Sequence, residues 1–312
     1  MKMKKSITLL LSVLLAIGCV FTTGCSSTKE EGPKEPVKIG IPDDGTNQSR
    51  AIKLLETAGL ITVDPDAGYT PELKDITSYI YNVEIVPTTA NTLPSTLDDY
   101  GASTINGTYA IPVGLVPSKD ALIIESQSGA GQENPYVNII ACRTDEVDNP
   151  TFKTIAYAFQ TPLVAEFMLK YYSEAFFPAF EYDESAVELT DDEVNELATY
   201  STTSDGKTVV KVGVCGASNQ HWNAVQKVLD EQNANIYIEL VEFDAYTLPN
   251  EALANGEIEL NAFQHKAFLA NEVNNNGYDL TTLADTLMAP LSLYSKKYTS
   301  LDALKTAAGL VK

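Results

Sequence analysis

Two stretches of this chain follow one plan, and that plan leaves few folds open. Val37 to Ile41 is a short apolar run that ends in the turn Pro42-Asp43-Asp44-Gly45. Thr46 then stands as the cap of a helix from Asn47 to about Leu60, with Ile52, Leu54, Leu55 and Leu60 at its apolar positions. Val209 to Val214, a loop at Gly216 to Asn219 and a helix over Trp222 to Gln232 repeat the pattern. Short strands are predicted around residues 85–86, 103–105, 121–125, 137–142 and 236–241, and a helix over 150–176 broken at Pro162. Between the two blocks, residues 181–207 are acidic and Ser/Thr-rich, with a capping-box pattern from Thr190 to Glu193. Alternating strands and helices on both sides of such a linker predict two α/β lobes. Ligands of open α/β sheets bind beyond the carboxyl ends of strands, which here means the loops at 42–49 and 216–221.

The first 24 residues read as a signal peptide. Lys2, Lys4 and Lys5 precede a mostly apolar run from Ile7 to Ile17. That run is about eleven residues long, too short to span a bilayer and suited to a signal h-region. Phe21-Thr22-Thr23-Gly24-Cys25 places small residues before a cysteine, as a lipoprotein signal peptidase requires. Cys25 is therefore expected to carry the lipid, and residues 25–36, rich in charge, Pro and Gly, to form a tether. The chain would be anchored on the outer face of the cell membrane rather than spanning it.

With 42 acidic against 21 basic residues and a formal charge of −21, the chain would be repelled by nucleic acid and by anionic lipid. Cys142 and Cys215 sit in apolar strand-like runs and read as two small buried thiols; their spacing implies no metal. Only two histidines are present, with no H-x-x-x-H, C-x-x-C or G-x-S-x-G pattern, so neither catalysis nor a cofactor is expected.

Several stretches resemble the NlpA lipoprotein family, the methionine-binding proteins of ABC importers. Leu248-Pro249-Asn250-Glu251-Ala252-Leu253 followed by Asn261-Ala262-Phe263-Gln264-His265-Lys266 comes close to a family signature. Pro42 to Arg50, Ile105 to Ala110, Asn134 to Arg143 and Leu291 to Leu301 resemble it as well. The order differs: in the family the block similar to 208–305 precedes the block similar to 37–180. The chain thus looks like a circular permutant, with 181–207 joining the old ends.

The resemblance implies a two-lobed periplasmic-binding-protein fold of type II. One lobe is expected at 37–118 and the other at 119–312, linked by one crossover near Asp120 to Glu125. The second crossover would be cut, loosening the hinge. It also implies capture of methionine, a related amino acid or a short peptide, and delivery to an ABC permease. Arg50, in the first turns of its helix, has the fork geometry of a carboxylate receptor. Asn106 can serve either end of an amino acid, and Tyr109 lies beside it. Tyr246, Phe263, His265 and Phe268 taken alone would be core aromatics; the resemblance makes them a thioether pocket. Phe268 stands where the family usually has Tyr, and Thr89 and Thr92 where Glu and Gln are common. The residues leave open a surface lipoprotein outside transport, such as an interaction module or hydrolase. They also leave open a permuted relic that no longer binds methionine, and a swapped dimer.

Overall fold

The computed structural model describes residues 35–68, 70–125, 134–173 and 175–311. The leader, Cys25 and nearly all of the tether lie outside the described residues. The strands are β1 (Val37–Pro42), β2 (Ile61–Val63), β3 (Ile76–Tyr79), β4 (Val83–Thr88), β5 (Ala102–Ile105), β6 (Ala121–Ile124) and β7 (Ile139–Arg143). They continue with β8 (Phe177–Pro178), β9 (Thr208–Cys215), β10 (Ile236–Phe243), β11 (Leu260–Asn261), β12 (Leu280–Asp285), β13 (Leu287–Met288) and β14 (Ser292–Tyr294). The helices are α1 (Gly45–Thr57), α2 (Gly107–Ala110), α3 (Pro117–Asp120), α4 (Pro150–Phe159) and α5 (Pro162–Tyr171). After them come α6 (Asp191–Ala198), α7 (His221–Glu231), α8 (Pro249–Ala254), α9 (Lys266–Asn276) and α10 (Leu301–Ala308).

Two five-stranded sheets organise these elements, in the orders β4-β1-β5-β14-β6 and β10-β9-β11-β7-β12. In the first, β1 runs parallel to β4 and β5, while β14 lies antiparallel between β5 and β6. Its core joins Ile39, Ile41, Ile52, Leu55 and Leu60 to Leu291, Leu293 and Leu304. One face of the second sheet packs against α4 to α7 through Phe159, Phe167, Trp222 and Leu229. On the other face, Ile139 and Ala141 meet Leu253 of α8 and Leu269 of α9.

This division corrects the expected lobe boundary. β6 and, above all, β14 and α10 belong to the first sheet, so residues 119–312 are not one lobe. The second lobe is the contiguous one, from β7 to β13. The first is assembled from both ends of the chain, because β14 offers backbone partners to both β5 and β6 and Leu304 fills the first core. The crossovers are corrected with it. One connection runs from β6 to β7, and a second from β12 through β13 to β14, so two passages link the sheets where a cut one was expected. The ends of the folded body meet elsewhere, within the first lobe. Val37 N–H donates to Asn82 O and Asn82 N–H to Gly309 O, both at 2.9 Å.

Three local expectations can be compared directly. Helices α4 and α5 break at Pro162 as predicted, since proline fits the first turn of α5 and cannot continue α4. The capping box holds at α6, where Thr190 N–H donates to Glu193 Oε2 at 2.8 Å. The stretch around it is more than a linker, because Leu189, Val194 and Leu197 are buried in the second core. The cap of α1 is Asp44, not Thr46: its Oδ1 accepts from Asn47 N at 2.9 Å, and the helix starts at Gly45. Among the described residues no helix is long and apolar enough to cross a membrane.

Candidate ligand-binding site

The shift of the α1 cap to Asp44 arranges the polar half of the site. Asp44 Oδ1 accepts from both the backbone N–H and the side-chain Nδ2 of Asn47, at 2.9 and 3.0 Å. Asn47 is thereby held with its Oδ1 outward, where it accepts from Arg50 Nη1 at 3.1 Å and from Asn106 Nδ2 at 2.9 Å. Asp44 Oδ2 is buried without a partner, and burial raises the carboxyl above its ordinary range despite the Asn47 bonds.

Arg50 is buried, and Glu125 holds most of its fork. Nε donates to Glu125 Oε1 at 3.0 Å, and Nη2 donates to Oε2 and, at 3.4 Å, to the Ala289 carbonyl. Leu291 N–H donates to Glu125 Oε2 at 3.0 Å, and the guanidinium lies 4.8 Å from the Tyr136 ring centroid. Burial works against the Arg50 charge, but the Glu125 carboxylate outweighs it and the group is held more basic than usual. Of five N–H groups, one on Nη1 keeps no partner among the described residues. The receptor foreseen for a ligand carboxylate is thus mostly filled by a side chain 75 residues away.

The aromatic half comes from the second lobe. Tyr246, Phe263 and Phe268 form a triangle with ring centroids 5.9–6.0 Å apart, and His265 lies 6.2 Å from Phe268. His265 caps α9: its Nδ1 accepts from Phe268 N–H at 3.1 Å. Burial and the Arg50 charge keep the imidazole well below its usual range, so it is neutral and its proton sits on Nε2. That Nε2–H is buried with no partner. The segment after β11 that carries Phe263 and His265 is fixed by a ring of amides. Asn250 Nδ2 donates to Gln264 Oε1 at 2.8 Å, Asn261 Nδ2 to Asn250 Oδ1 at 2.9 Å, and Gln264 Nε2 to Asn261 Oδ1 at 2.9 Å. The Asn and Gln of the quoted motif therefore hold the backbone, while its Phe and His face the cavity.

The two halves line about 330 Å³ of empty space, a figure that includes open solvent. Arg50, Asn106, Tyr246, Phe263, His265 and Phe268 all line it. Tyr109 does not. Its ring packs tilted behind Tyr246, with centroids 4.9 Å apart, and its hydroxyl donates to the Asp244 carbonyl at 3.3 Å, where Asn91 Nδ2 also donates at 3.1 Å. These bonds tie the lobes together beside the cavity. Sequence reasoning missed Asn47, Glu125, Thr108 and Asn138. Asn47 was findable as the residue three after a capping Asp; Glu125 carries no local signal. His221 borders an adjoining space, whereas Trp222 is 1 % exposed and packs on Phe159. Cys142 and Cys215 are buried free thiols. Among the described residues no group of three His, Cys, Asp or Glu could hold a metal.

A two-lobed α/β protein with a cavity lined from both lobes is what fold and site define. The NlpA lipoprotein family model matches residues 23–180 and 210–311, and the chain belongs to that family. It is 35 % identical over 133 residues to the probable D-methionine-binding lipoprotein MetQ of Vibrio cholerae, covering 43 % of this chain and 48 % of the relative. It is 36 % identical over 131 residues to the D-methionine-binding lipoprotein MetQ of Escherichia coli, covering 41 % and 46 %. The chain spans about half the length of these curated relatives. Among solved structures, a nutrient-binding protein from Burkholderia cenocepacia bound to methionine is 32 % identical, with a TM-score of 0.44 over 48 % of this chain and 62 % of that one.

Proposed function

We propose that this chain is an extracytoplasmic solute-binding protein, anchored through lipid on Cys25, that delivers methionine or a related amino acid or short peptide to an ABC importer. The observation that carries this reading is the cavity between the lobes. One wall offers an arginine and two asparagines and the other three aromatic rings and a neutral histidine, a combination suited to a small amphiphile. The named relatives support methionine as the first ligand to test. Binding rather than catalysis suits the chemistry of the walls. His221 is pushed down to about 3 by burial, His265 is held neutral, and burial pushes the Cys215 thiol up. Closure of the lobes around ligand would present the closed form to the permease.

Titration calorimetry on the chain without its leader, unfolded and refolded to strip bound ligand, tests the reading. Micromolar or tighter binding of methionine or another amino acid supports it. A folded sample silent across a panel of amino acids and dipeptides would remove it. The anchor is tested separately: Cys25→Ala should release the protein from membranes and abolish fatty-acid labelling.

The same reading includes the permuted order. Its support is that Val37 and Gly309 both bond to Asn82, so the ends of the folded body lie one residue's width apart. Joining them with a short loop and opening the chain within 199–206 should give a protein that folds and binds alike. A rejoined chain that fails to fold would count against it.

A further inference from the structure

The two passages between the lobes are tied to each other at both ends. At the first lobe, Glu125 N–H donates to Leu291 O at 2.8 Å and Leu291 N–H to Glu125 Oε2 at 3.0 Å, which joins the end of β6 to the start of β14. At the second lobe, Asn138 N–H donates to Leu287 O and Thr286 N–H to Asn138 O, both at 2.8 Å. Pro135 and Val137 go with the second lobe as well. Their carbonyls accept from Ala267 N–H at 2.9 Å and Lys266 N–H at 3.1 Å, the first amides of α9, which have no partner inside their own helix. Tyr136 lies between these two anchored residues, and its own N–H donates to Asn134 Oδ1 at 2.9 Å. It is therefore carried by the second lobe.

The Tyr136 ring reaches back to the first lobe. Its centroid is 4.8 Å from the Arg50 guanidinium, which Asn47 and Glu125 hold on the first-lobe side. Its other neighbour is His265, edge to face, with centroids 5.3 Å apart. Tyr136 does not line the ligand cavity. It borders a separate space beside the passages, lined also by Arg50, Glu125, Met288, Ala289 and Pro290. In the second passage only residues 288–290 lie between the ties at Leu287 and Leu291. Rotation of the lobes takes Tyr136 with α9 and leaves Arg50 with α1, so their contact is made and broken as the lobes move. A cation is drawn to the electron-rich face of a ring, and more strongly where water is excluded. The Arg50 side chain is 3 % exposed, so the attraction acts here out of water.

We infer that Tyr136 sets how long a ligand stays: its ring, carried by the second lobe, closes on the Arg50 guanidinium and holds the lobes shut behind a ligand that it does not touch. This rests on the solute-binding reading and adds a positioning residue to it. Tyr136→Phe supplies the reference, and tri- and pentafluorophenylalanine at the same position nearly keep the ring's shape while draining negative charge from its face. The neutral imidazole of His265 feels that change far less than a guanidinium does. Stopped-flow mixing with the tightest ligand of the calorimetric panel, methionine first, reads the two rates separately. Relative to the reference, dissociation is expected to quicken about threefold for the trifluoro form and roughly tenfold for the pentafluoro form, with association changed by less than about twofold. A ring that serves packing alone would give one dissociation rate across the series. That result overturns the inference and leaves the transport reading standing. A series in which only association slows overturns it too, since the ring would then act on entry and not on closure. If no ligand of the panel binds the folded protein, the solute-binding reading falls and this inference with it.

Discussion

The first lobe brings a guanidinium and amides to the cavity, whereas the second brings rings and a neutral imidazole. The two walls are also built differently. Every polar group of the first lobe is held by another side chain: Asp44 orients Asn47, Asn47 orients Arg50 and Asn106, and Glu125 clamps Arg50. The second lobe's rings are placed by backbone, with the amide ring beneath them and the His265 cap beside them. Orientation of charge in the first wall is thus a chain of dependencies, while the second wall is a rigid shelf. Mutations should propagate in the first and stay local in the second.

The largest effect should come from Arg50→Ala. Calorimetry should show at least a hundredfold loss of affinity. Urea unfolding should show a loss of about 3 kcal/mol, because the Glu125 carboxylate is left without its partner. Removing both, as Arg50→Ala with Glu125→Ala, should recover much of the stability but none of the binding. Recovery of binding would mean that the guanidinium serves only the clamp.

Next is the contact between the walls. Gly216 follows β9 with φ +67°, and a Cβ there would lie 2.7 Å from the Thr108 carbonyl of the opposite lobe. Gly216→Ala should lower affinity about tenfold and give a more open particle by small-angle scattering, with each lobe still folded. Unchanged affinity would show that the lobes need not approach this closely.

A smaller and graded effect is expected from pH. Burial holds His221 at about 3, against 6.5 in the unfolded chain, so the unfolded chain binds the extra proton between those values. Its contribution to stability is fully present above pH 6.5 and is lost as pH falls toward 3. At pH 5 the loss is about 2 kcal/mol. His265 has the same sign. Asp44, raised by burial, has the opposite one and partly offsets them at lower pH. His221→Phe should flatten the slope between pH 7 and 5 in denaturant titrations; an unaltered slope would assign it elsewhere. The smallest effect is Thr190→Ala. Loss of the α6 cap should lower the melting temperature by a few degrees with affinity unchanged, placing the acidic stretch in the second lobe's stability and not in its site.

Local signals were legible in the sequence and distant pairings were not. The strand–loop–helix units, the break at Pro162 and the Thr190 capping box each depend on residues within a few positions of one another. The aromatic set, which the motif keeps within 23 positions from Tyr246 to Phe268, reads as core when taken alone, and only the resemblance marks it as a pocket. Glu125 meets Arg50 across 75 positions, and a carboxylate after a short strand announces no partner. β14 has three residues, and three residues contain nothing that says which sheet they join. The lobe boundary and the crossovers are not legible in the sequence for that reason. Threonine suits the α1 cap at Thr46, but an aspartate two residues earlier suits it as well, and only geometry decides.

The position of β14 has a consequence for how the molecule is made. It lies between β5 and β6, not at an edge, so the first sheet has a gap in it until the end of the chain arrives. The second lobe, contiguous from β7 to β13, contains all its own strands and can form from local contacts. The first must hold β5 ready across nearly two hundred intervening residues, a long loop to close before its reward. The order of folding is therefore the reverse of the order of synthesis: the segment translated first is completed last, and until then its open strand edges are what a chaperone would have to guard.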